Sequence, residues 1–367
     1  MLLYISIISG CAQEKDSKNI KEADIVEKYI FHDEKSEHEG TWLQWPHGYR
    51  YGEDYRKEIE HIWIEMAVAL NEGEKVHIVA YNQTEKERIS KILKNQGINM
   101  NKIDFFIAPF DDVWARDNGP IFVYDQYKNF KIWGPKFNGW GEKTPYSEDV
   151  LMSERISREL NIERIKMNEF VIEGGAMEMD GNGTFLSTRS SVVNKNRNPH
   201  LSEEEIEKYL SSLSVTNFIW LDGVPDADIT DFHIDGFVKF YDQNTIITFS
   251  ENDLIEWGLS AKDIKTLLNA KNTSGEPYKY VYLPLSKNNV TLENGEALDE
   301  KGSYVNFYIG NKVVLVPNYN DPHDKIANDI IQNLYPERKV VGIDVRMLYQ
   351  HGGMIHCVTQ QQPVSLK

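Results

Sequence analysis

The strongest constraint on the fold is the alternation of two kinds of segment along the chain. From Trp42 onward, short apolar runs such as 75–81 and 103–108 are separated by amphipathic runs such as 53–71 and 85–95. The first kind is typical of strands and the second of helices. Strands that alternate with helices pack as an α/β domain, so the pattern disfavours an all-α bundle and a β-sandwich.

A second pattern is the recurrence of a polar residue or a glycine where predicted strands end. Asp117, Glu173, Asp235, Asn306 and Gly353 follow one another at gaps of 56, 62, 71 and 47 residues. Such spacing indicates a repeated supersecondary unit, although the units share negligible sequence identity. Units repeated around an axis would bring these distant strand ends together at one central site.

The charge balance narrows the class of partner. The 40 lysines and arginines stand against 57 acidic residues, which gives a net charge of −17 at pH 7. This charge repels phosphate backbones and anionic headgroups, so we expect neither a nucleic-acid partner nor binding to a lipid surface. A small cation or a basic peptide is favoured instead.

The N-terminus predicts export. Residues 1–11 form a short apolar run that ends in ISGC, and it resembles the lipobox of bacterial lipoprotein signal peptides, with Cys11 as the lipidated residue. A polar tether over 12–37 and a single catalytic domain over 38–367 would follow. No Lys or Arg precedes the apolar run, so a buried N-terminal strand with an incidental cysteine, in a cytoplasmic protein, stays an alternative.

Cys357 is the cysteine outside the predicted leader, and it follows a pair of glycines in the segment YQHGGMIHCVTQQ. Gly352 and Gly353 permit a tight turn beside the thiol, which favours a nucleophile. A lone cysteine is more often a small buried apolar residue, so packing is the alternative. The two cysteines of the chain lie too far apart in sequence to suggest a disulfide framework.

His233 and Asp235 are two residues apart in a segment that we predict to be a strand, so their side chains would share one face. An imidazole beside a carboxylate suits proton transfer next to a bound cation, and a structural ion pair is the alternative. A metal site would need a third ligand, but no ligand spacing of a known metal motif supports one. The candidates for that third ligand would be His323, His351 and His356.

Other chemistries are excluded because their motifs are absent. The sequence contains no GxGxxG after a strand, no GxxxxGK[ST] and no GxSxG. Dinucleotide binding, P-loop chemistry and serine hydrolysis are therefore not expected. Two acidic segments remain, around Asp117 and around Glu173, and each by itself could be a polar turn or a solvated cap.

Six motifs follow one another over more than 300 residues: WLQWP (42–46), WARDNGP (114–120), EGG (173–175), NKNRNP (194–199), HID (233–235) and GGMIHCVTQQ (352–361). In this order they resemble the agmatine deiminase family, which is grouped with bacterial peptidylarginine deiminase and, more distantly, with arginine deiminase. The resemblance implies a five-bladed α/β propeller, the pentein fold, built of ββαβ-type units.

The resemblance also implies roles for individual residues, without metal or organic cofactor. These are Cys357 as nucleophile, His233 as general acid and base, Glu173 as the partner of His233, Asp117 and Asp235 as the pair that grips the guanidinium, and Trp114 and Gly353 as residues that border the substrate. Asp228 or Asp231 would hold a distal amine.

The implied reaction is agmatine plus water to N-carbamoylputrescine plus ammonia. Met354 and Ile229 depart from the agmatine pattern, since we would expect Asn and an acid at these positions. They keep a peptidylarginine deiminase open as an alternative, and a lipoprotein that binds cations without chemistry is a third reading. The resemblance also leaves a homodimer open.

Overall fold

The structure is a computed structural model that describes residues 27–366, so the predicted leader and most of the predicted tether lie outside the described residues. Within this part of the chain, no helix combines the length and the apolarity needed to cross a membrane.

The strands are short and spread over the whole described chain. They are β1 (His38–Gln44), β2 (Lys75–Ala80), β3 (Ile103–Ile107), β4 (Ile121–Tyr124), β5 (Phe130–Lys136), β6 (Glu163–Val171), β7 (Glu178–Met179), β8 (Thr184–Thr188), β9 (Asn217–Leu221), β10 (Lys239–Asp242), β11 (Thr245–Thr248), β12 (Lys279–Tyr282), β13 (Leu285–Thr291), β14 (Ala297–Ser303), β15 (Tyr308–Ile309), β16 (Val313–Asn318), β17 (Lys339–Asp344) and β18 (Gln360–Pro363).

Helices alternate with these strands. They are α1 (Gly48–Leu70), α2 (Gln83–Asn95), α3 (Ala115–Asn118), α4 (Gly139–Glu142), α5 (Met152–Leu160), α6 (Arg189–Val192), α7 (Glu203–Ser211), α8 (Glu251–Glu256), α9 (Ala261–Leu268), α10 (Asp324–Leu334) and α11 (Arg346–Tyr349). Short 3-10 turns cover Met100–Lys102, Asp149–Leu151, Gly174–Ala176, Ile234–Gly236 and His356–Val358.

One topology recurs in the sheets. In the sheets β4-β5-β6, β7-β8-β9, β10-β11-β12 and β15-β16-β17, the first strand is antiparallel to the second, and the third returns parallel to the second. Helical segments lie between the second and third strands in the chain. This is the ββαβ-type unit that the family resemblance implies, and β13 and β14 form an added antiparallel hairpin.

The remaining sheet joins the two ends of the described chain. Its order is β18-β1-β2-β3, in which β18 pairs antiparallel with β1 and β2 pairs parallel with it. The C-terminal strand therefore takes the place that the first strand holds in the other units. Trp42 Nε1 also donates to Gln362 Oε1 across this pair at 2.8 Å.

Local sequence explains why several helices begin where they do. Asn82, Ser250 and Ser260 accept a hydrogen bond from a backbone N–H in the first turn of α2, α8 and α9. Ser202 and Glu205 form a reciprocal capping box at the start of α7. Such caps satisfy N–H groups that have no partner within the helix.

The helices cover the sheets with their apolar faces. In α1, Ile59, Ile62, Trp63 and Met66 are buried at a spacing of three to four residues, which is the helical period predicted from the sequence. Full burial of such a side chain stabilises the fold by about 1.5 to 3 kcal/mol. Strand β16 is buried over five of its six positions, as expected of the middle strand of a covered sheet.

The described part of the predicted tether packs on the domain. The backbone N–H of Tyr29 donates to the carbonyl oxygen of Ser212, and Ile30 forms a β-bridge with Tyr124. Tyr29 is 4% exposed. Residues 27–37 thus differ from the free tether that their polarity predicted, because their partners lie far away in sequence.

Candidate active site

Five connecting segments meet at the centre of the fold. Each one precedes the first strand of a unit: α3 before β4, the turn Gly174–Ala176 before β7, the turn Ile234–Gly236 before β10, Asn306 before β15, and the turn His356–Val358 before β18. The polar markers therefore come together as predicted, but on short turns. The prediction that His233 and Asp235 share a strand face was wrong, since Ile234–Gly236 is a 3-10 turn with His233 as its N-cap.

A closed ring of hydrogen bonds connects these segments. Every segment makes at least one bond to the segment before it and at least one to the segment after it. In ring order, the contacts are Gly175 N–H to Asp117 Oδ1 (2.9 Å), His233 Nε2 with Glu173 Oε2 (3.3 Å), Asn306 Nδ2 to the Asp235 carbonyl oxygen (3.1 Å), His356 N–H to Asn306 Oδ1 (2.9 Å), and Arg116 Nε to the His356 carbonyl oxygen (3.3 Å).

Gly175 lies where three polar side chains converge. A Cβ atom at this position would lie 2.6 Å from His233 Nδ1, 2.9 Å from Asp117 Oδ1 and 3.1 Å from Asp235 Oδ2. Contacts that short are not tolerated, so a side chain here would push the three groups apart. The glycine of the EGG motif is thus required by the close approach of the three groups.

Cys357 borders the same centre. Its Sγ lies 3.5 Å from Asn306 Nδ2 and 3.9 Å from Asp235 Oδ2. Burial, together with the charges of Asp235 and Asp117, raises the pKa of the thiol well above its ordinary value. Without a bound cation the group is therefore a thiol, and a cation placed between the carboxylates would favour the nucleophilic thiolate.

His233 is held between two acids. Its Nε2 lies 3.3 Å from Glu173 Oε2, and its Nδ1 lies 3.8 Å from Asp117 Oδ1. Burial lowers the pKa of His233, but the nearby carboxylates of Asp117, Glu173 and Asp235 outweigh it and raise that pKa to about 9. The imidazole therefore carries a proton at neutral pH, as a general acid requires.

Glu173 is fixed from behind by Arg197. The side chains of both residues are fully buried, and Arg197 Nε donates to Glu173 Oε1 at 2.7 Å. Arg197 also pairs with Asp231 at 2.8 Å. The paired and hydrogen-bonded charges hold the pKa of Glu173 below its usual value despite its burial. This arrangement keeps Glu173 ionised and oriented toward His233.

Asp117 and Asp235 are both buried and are held by different partners. Asp117 accepts from Trp140 Nε1 and from the Gly175 N–H, each at 2.9 Å. Its pKa is raised, mainly by burial and by the charge of Asp235. The pKa of Asp235 is lowered, because the hydrogen bond and charge of His356 offset burial. Two acids this close are stabilised by a planar cation, and a guanidinium matches their geometry.

Two arms of an open cleft reach this centre. The acidic arm is bordered by Asp228, Glu256, Asp299 and Glu300. The aromatic arm is lined by Tyr51, Tyr55, Asp112, Trp114, Trp140 and Ile229. Cys357 lines both arms, so ligands from either direction meet the thiol.

The predicted substrate-binding residues have different surroundings. Trp114 lies in the aromatic arm, and Gly353 packs so closely on it that a Cβ would lie 2.2 Å from the indole ring. Asp228 borders the acidic arm, while its Oδ1 accepts from the N–H and the hydroxyl of Thr230. Asp231 is buried and paired with Arg197 and Lys143, so the suggestion that it holds a distal amine is wrong.

The two departures from the family pattern are also resolved. Ile229 is 36% exposed and lines the aromatic arm, where it presents an apolar surface instead of an acid. Met354 lines the acidic arm and is buried against Tyr319, whose hydroxyl lies 2.9 Å from the methionine sulfur. Ile229 therefore changes the charge of the aromatic arm, whereas Met354 is accommodated by packing.

The alternative metal ligands do not form one set. His323 Nδ1 contacts the carbonyl oxygen of Leu285, and His351 lines the aromatic arm with its Nε2 3.6 Å from Glu58. A separate cluster on the outer sheet, Glu39, His77 and Asp104, has donor atoms within 4.8 Å of one another. Lys75 Nζ already lies 2.8 Å from Glu39 and 3.3 Å from Asp104 there.

Sequence reasoning missed several residues that hold the centre in place. Arg197 lies in the NKNRNP motif, but we assigned it no role from the sequence. The asparagines around it are the local feature that marks this segment. Trp140, which donates to Asp117, had no signal beyond an isolated NGWG turn. His356 was considered as a metal ligand, and it instead contacts Asp235.

Comparison with known families agrees with the motifs. Residues 30–363 match the Porphyromonas-type peptidyl-arginine deiminase family. The agmatine deiminase of Pseudomonas aeruginosa is 31% identical to this chain over 357 residues, which cover 90% of this chain and 94% of that protein.

Solved structures agree with the fold. A structure of the agmatine deiminase of Enterococcus faecalis has a TM-score of 0.80 and 27% identity, covering 92% of this chain and 96% of the other. Agmatine deiminase of C. jejuni with substrate bound has a TM-score of 0.79 and 26% identity, covering 93% and 98%. The α/β fold class that the sequence resemblance predicted is confirmed.

Proposed function

The chain belongs to the family of agmatine deiminases and Porphyromonas-type peptidyl-arginine deiminases, and from this premise we propose that it hydrolyses agmatine to N-carbamoylputrescine and ammonia. The observation that carries the proposal is the convergence of one thiol, one protonated imidazole and two buried carboxylates on one cleft. Binding alone needs carboxylates but no nucleophile, so this set of groups favours chemistry over a passive cation binder.

In this proposal, the guanidinium of the substrate lies between Asp117 and Asp235. Its positive charge offsets the repulsion of the two acids and lowers the cost of ionising Cys357, whose proton leaves to solvent through the open cleft. The Cys357 thiolate then attacks the central guanidinium carbon, and a carbon–sulfur bond forms. The carbon–nitrogen bond to one amino group breaks, and His233 donates its proton to the departing ammonia.

The second half of the reaction reverses these roles. His233, now neutral, takes a proton from water, and the resulting hydroxide attacks the carbon of the thiouronium intermediate. The carbon–sulfur bond breaks, the proton of the added hydroxyl passes to the departing Cys357 sulfur, and a ureido product and the Cys357 thiol are left. Glu173 keeps His233 oriented in both half-reactions, and no step draws on an oxidant or a reductant.

The aromatic arm suits the remainder of agmatine. Its tail is a short alkyl chain with a terminal ammonium, and this arm offers ring surfaces with a buried acid, Asp112, in addition to Asp117 at the centre. Cations are attracted to aromatic faces as well as to carboxylates. Burial raises the pKa of Asp112 to about 6, and the group is still mostly ionised at neutral pH. We therefore assign Asp112 as the partner of the ammonium, in a position where Ile229 provides no charge.

The acidic arm favours a second candidate function. It is open to solvent and bordered by exposed carboxylates, and it would accept the main chain of a basic peptide whose arginine reaches Cys357. Peptidylarginine deimination would use the same chemistry at the centre. The two candidates therefore differ only in the substrate beyond the guanidinium.

The test is turnover by purified protein of agmatine and, separately, of a peptide with a single internal arginine and blocked termini. Ammonia and the ureido product are measured, with the Cys357→Ala variant as control. We expect agmatine turnover that the variant lacks. Turnover of the peptide alone would favour the second candidate, and equal ammonia release by Cys357→Ala would contradict the covalent route.

A further inference from the structure

Behind Asp235, a chain of buried groups leads away from the cleft. Asp235 Oδ2 lies 2.7 Å from His356 Nδ1, and His356 Nε2 lies 2.7 Å from Glu34 Oε2. Both ring nitrogens of His356 therefore face a carboxylate oxygen at hydrogen-bond distance. Asp235 belongs to the substrate position proposed above, whereas His356 and Glu34 lie behind it and are additional to the reacting groups.

Glu34 reaches this position from the segment that precedes β1. Its side chain is 11% exposed. Its Oε1 accepts from the backbone N–H of Ile309 at 2.8 Å, and its Oε2 lies 3.4 Å from Arg116 and 3.6 Å from Lys239. Burial opposes ionisation, but Lys239, His356 and Arg116 hold the pKa of Glu34 well below its usual value. A carboxylate is thus fixed at the far end of the chain.

The two contacts of His356 place both of its ring nitrogens opposite hydrogen-bond acceptors. A carboxylate only accepts hydrogen bonds, and two ionised carboxylates can both be satisfied only by a ring with a proton on each nitrogen. Such a charge-assisted bond is shorter and stronger than a neutral one. If Glu34 lost its charge, His356 would keep only one of its two carboxylate partners.

We propose that Glu34 is a positioning residue for catalysis, because it holds His356 as a doubly protonated donor that fixes and keeps ionised the Asp235 carboxylate beside Cys357. Glu34 acts through two other residues and does not contact the substrate. The choice of agmatine as assay substrate rests on the proposed function, whereas the ordering of Asp235 does not. The two ideas can therefore be tested apart.

The direct test compares two alkylating reagents of nearly equal size. Chloroacetamidine is a planar cation that needs the carboxylate pair, and chloroacetamide is its neutral analogue. With both, Cys357 sulfur displaces chloride and forms a carbon–sulfur bond. Intact mass gives the rate at which each reagent alkylates Cys357. The ratio of the two rates measures how strongly Asp117 and Asp235 bind an amidinium, whatever the natural substrate is.

The variants are Glu34→Gln, which removes the charge at nearly constant shape, and Glu37→Gln as the matched control. Glu37 lies in the same segment, and its side chain is exposed. We expect Glu34→Gln to lower the preference for chloroacetamidine about tenfold, with less than a twofold change for chloroacetamide and no change in Glu37→Gln. An unchanged preference in folded Glu34→Gln would overturn the proposal, and so would an equal loss with both reagents.

A second variant covers the case in which Glu34→Gln does not fold. Glu34→Asp keeps the charge that Lys239 and Arg116 require but shortens the reach to His356. We expect it to melt within a few degrees of the wild type and to lose at least threefold of the chloroacetamidine preference. A wild-type preference in this variant would also overturn the proposal.

Turnover of agmatine provides the link to function. We expect Glu34→Gln to lower kcat/KM about tenfold, mainly through a higher KM, because the cation meets a less ordered carboxylate. If the wild type turns over agmatine and Glu34→Gln does so equally well, the positioning role is contradicted and the proposed function is not. The opposite outcome is also distinguishable. If Glu34→Gln lowers the chloroacetamidine preference but the wild type does not turn over agmatine, the positioning role is supported and the proposed substrate is contradicted.

Discussion

The buried centre and the outer cleft hold their acidic residues in opposite ways. At the centre, Asp117, Glu173 and Asp235 each contact at least two named partners, and all are below 10% exposed. In the acidic arm, Glu256 and Asp299 are exposed to solvent. An exposed charge is screened and flexible, while a buried one is expensive unless its partners are fixed. The buried centre therefore fixes the reacting groups, whereas the outer cleft provides the contacts that select the substrate tail.

The largest expected effect is at the centre. Asp117→Asn should lower kcat/KM for agmatine about a thousandfold, or about 4 kcal/mol, because a buried charge that pairs with the substrate cation is lost. Steady-state kinetics measure it. Asp54→Asn is the control, since its side chain is 99% exposed, and it should leave kcat/KM unchanged. A loss below tenfold in folded Asp117→Asn would contradict the distinction between centre and surface.

The next effect is on stability. Arg197→Met should lower the free energy of unfolding by about 3 kcal/mol, because Glu173 and Asp231 stay buried but each loses its arginine partner. Urea unfolding measures the change. The matched surface variant is Lys325→Met, which breaks a pair in which the lysine is 82% exposed, and it should cost less than about 1 kcal/mol. An equal loss in the free energy of unfolding for both variants would contradict the difference between buried and exposed ion pairs.

The third effect is a pH shift. A proton on His233 is needed when ammonia departs, so kcat/KM should fall as pH rises through about 9, the raised pKa of His233. Glu173→Gln removes one of the charges that raise this pKa, so its alkaline limb should move down by about one unit. A pH profile of both proteins tests this, with melting curves to confirm that each is folded. An alkaline limb at the same pH in both would contradict the role of Glu173.

The smallest effect is expected in the cleft. Asp112→Asn should raise KM for agmatine about three- to tenfold and leave KM for butylguanidine, which lacks the ammonium, within twofold. Because the pKa of Asp112 is about 6, wild type and variant should converge at pH 5, where the carboxyl is protonated. Asp299→Asn in the acidic arm is the control. If Asp299→Asn has the larger effect on agmatine, the tail lies in the acidic arm.

The sequence predicted the elements with strong local periodicity. The runs read as strands and helices between 42 and 108 correspond to β1, α1, β2, α2 and β3, with bounds that differ by a few residues. The side-chain period of a helix or strand is set by its local backbone geometry, so it can be recognised in the sequence without knowledge of distant contacts. The family motifs then supplied the reacting residues, and the structure brings all five of them to one centre.

The rest depended on contacts that no local pattern encodes. The turns that hold Glu173, His233 and Asp235 are too short to have a period, and we read them as strand ends. Glu34 lies in a polar stretch that looks like a linker, and its partner His356 is 322 residues away. The same stretch contains Glu37, which is exposed, so composition alone cannot distinguish the two.

The ring of hydrogen bonds among the five connecting segments has a kinetic consequence. Its links join residues 50 to 240 positions apart, so none of them can form early from local contacts. The centre should assemble at the end of folding, once β18 has paired with β1. Recovery of activity after dilution from denaturant would then lag behind recovery of helical signal, which makes activity a measure of how much of the chain has completed folding.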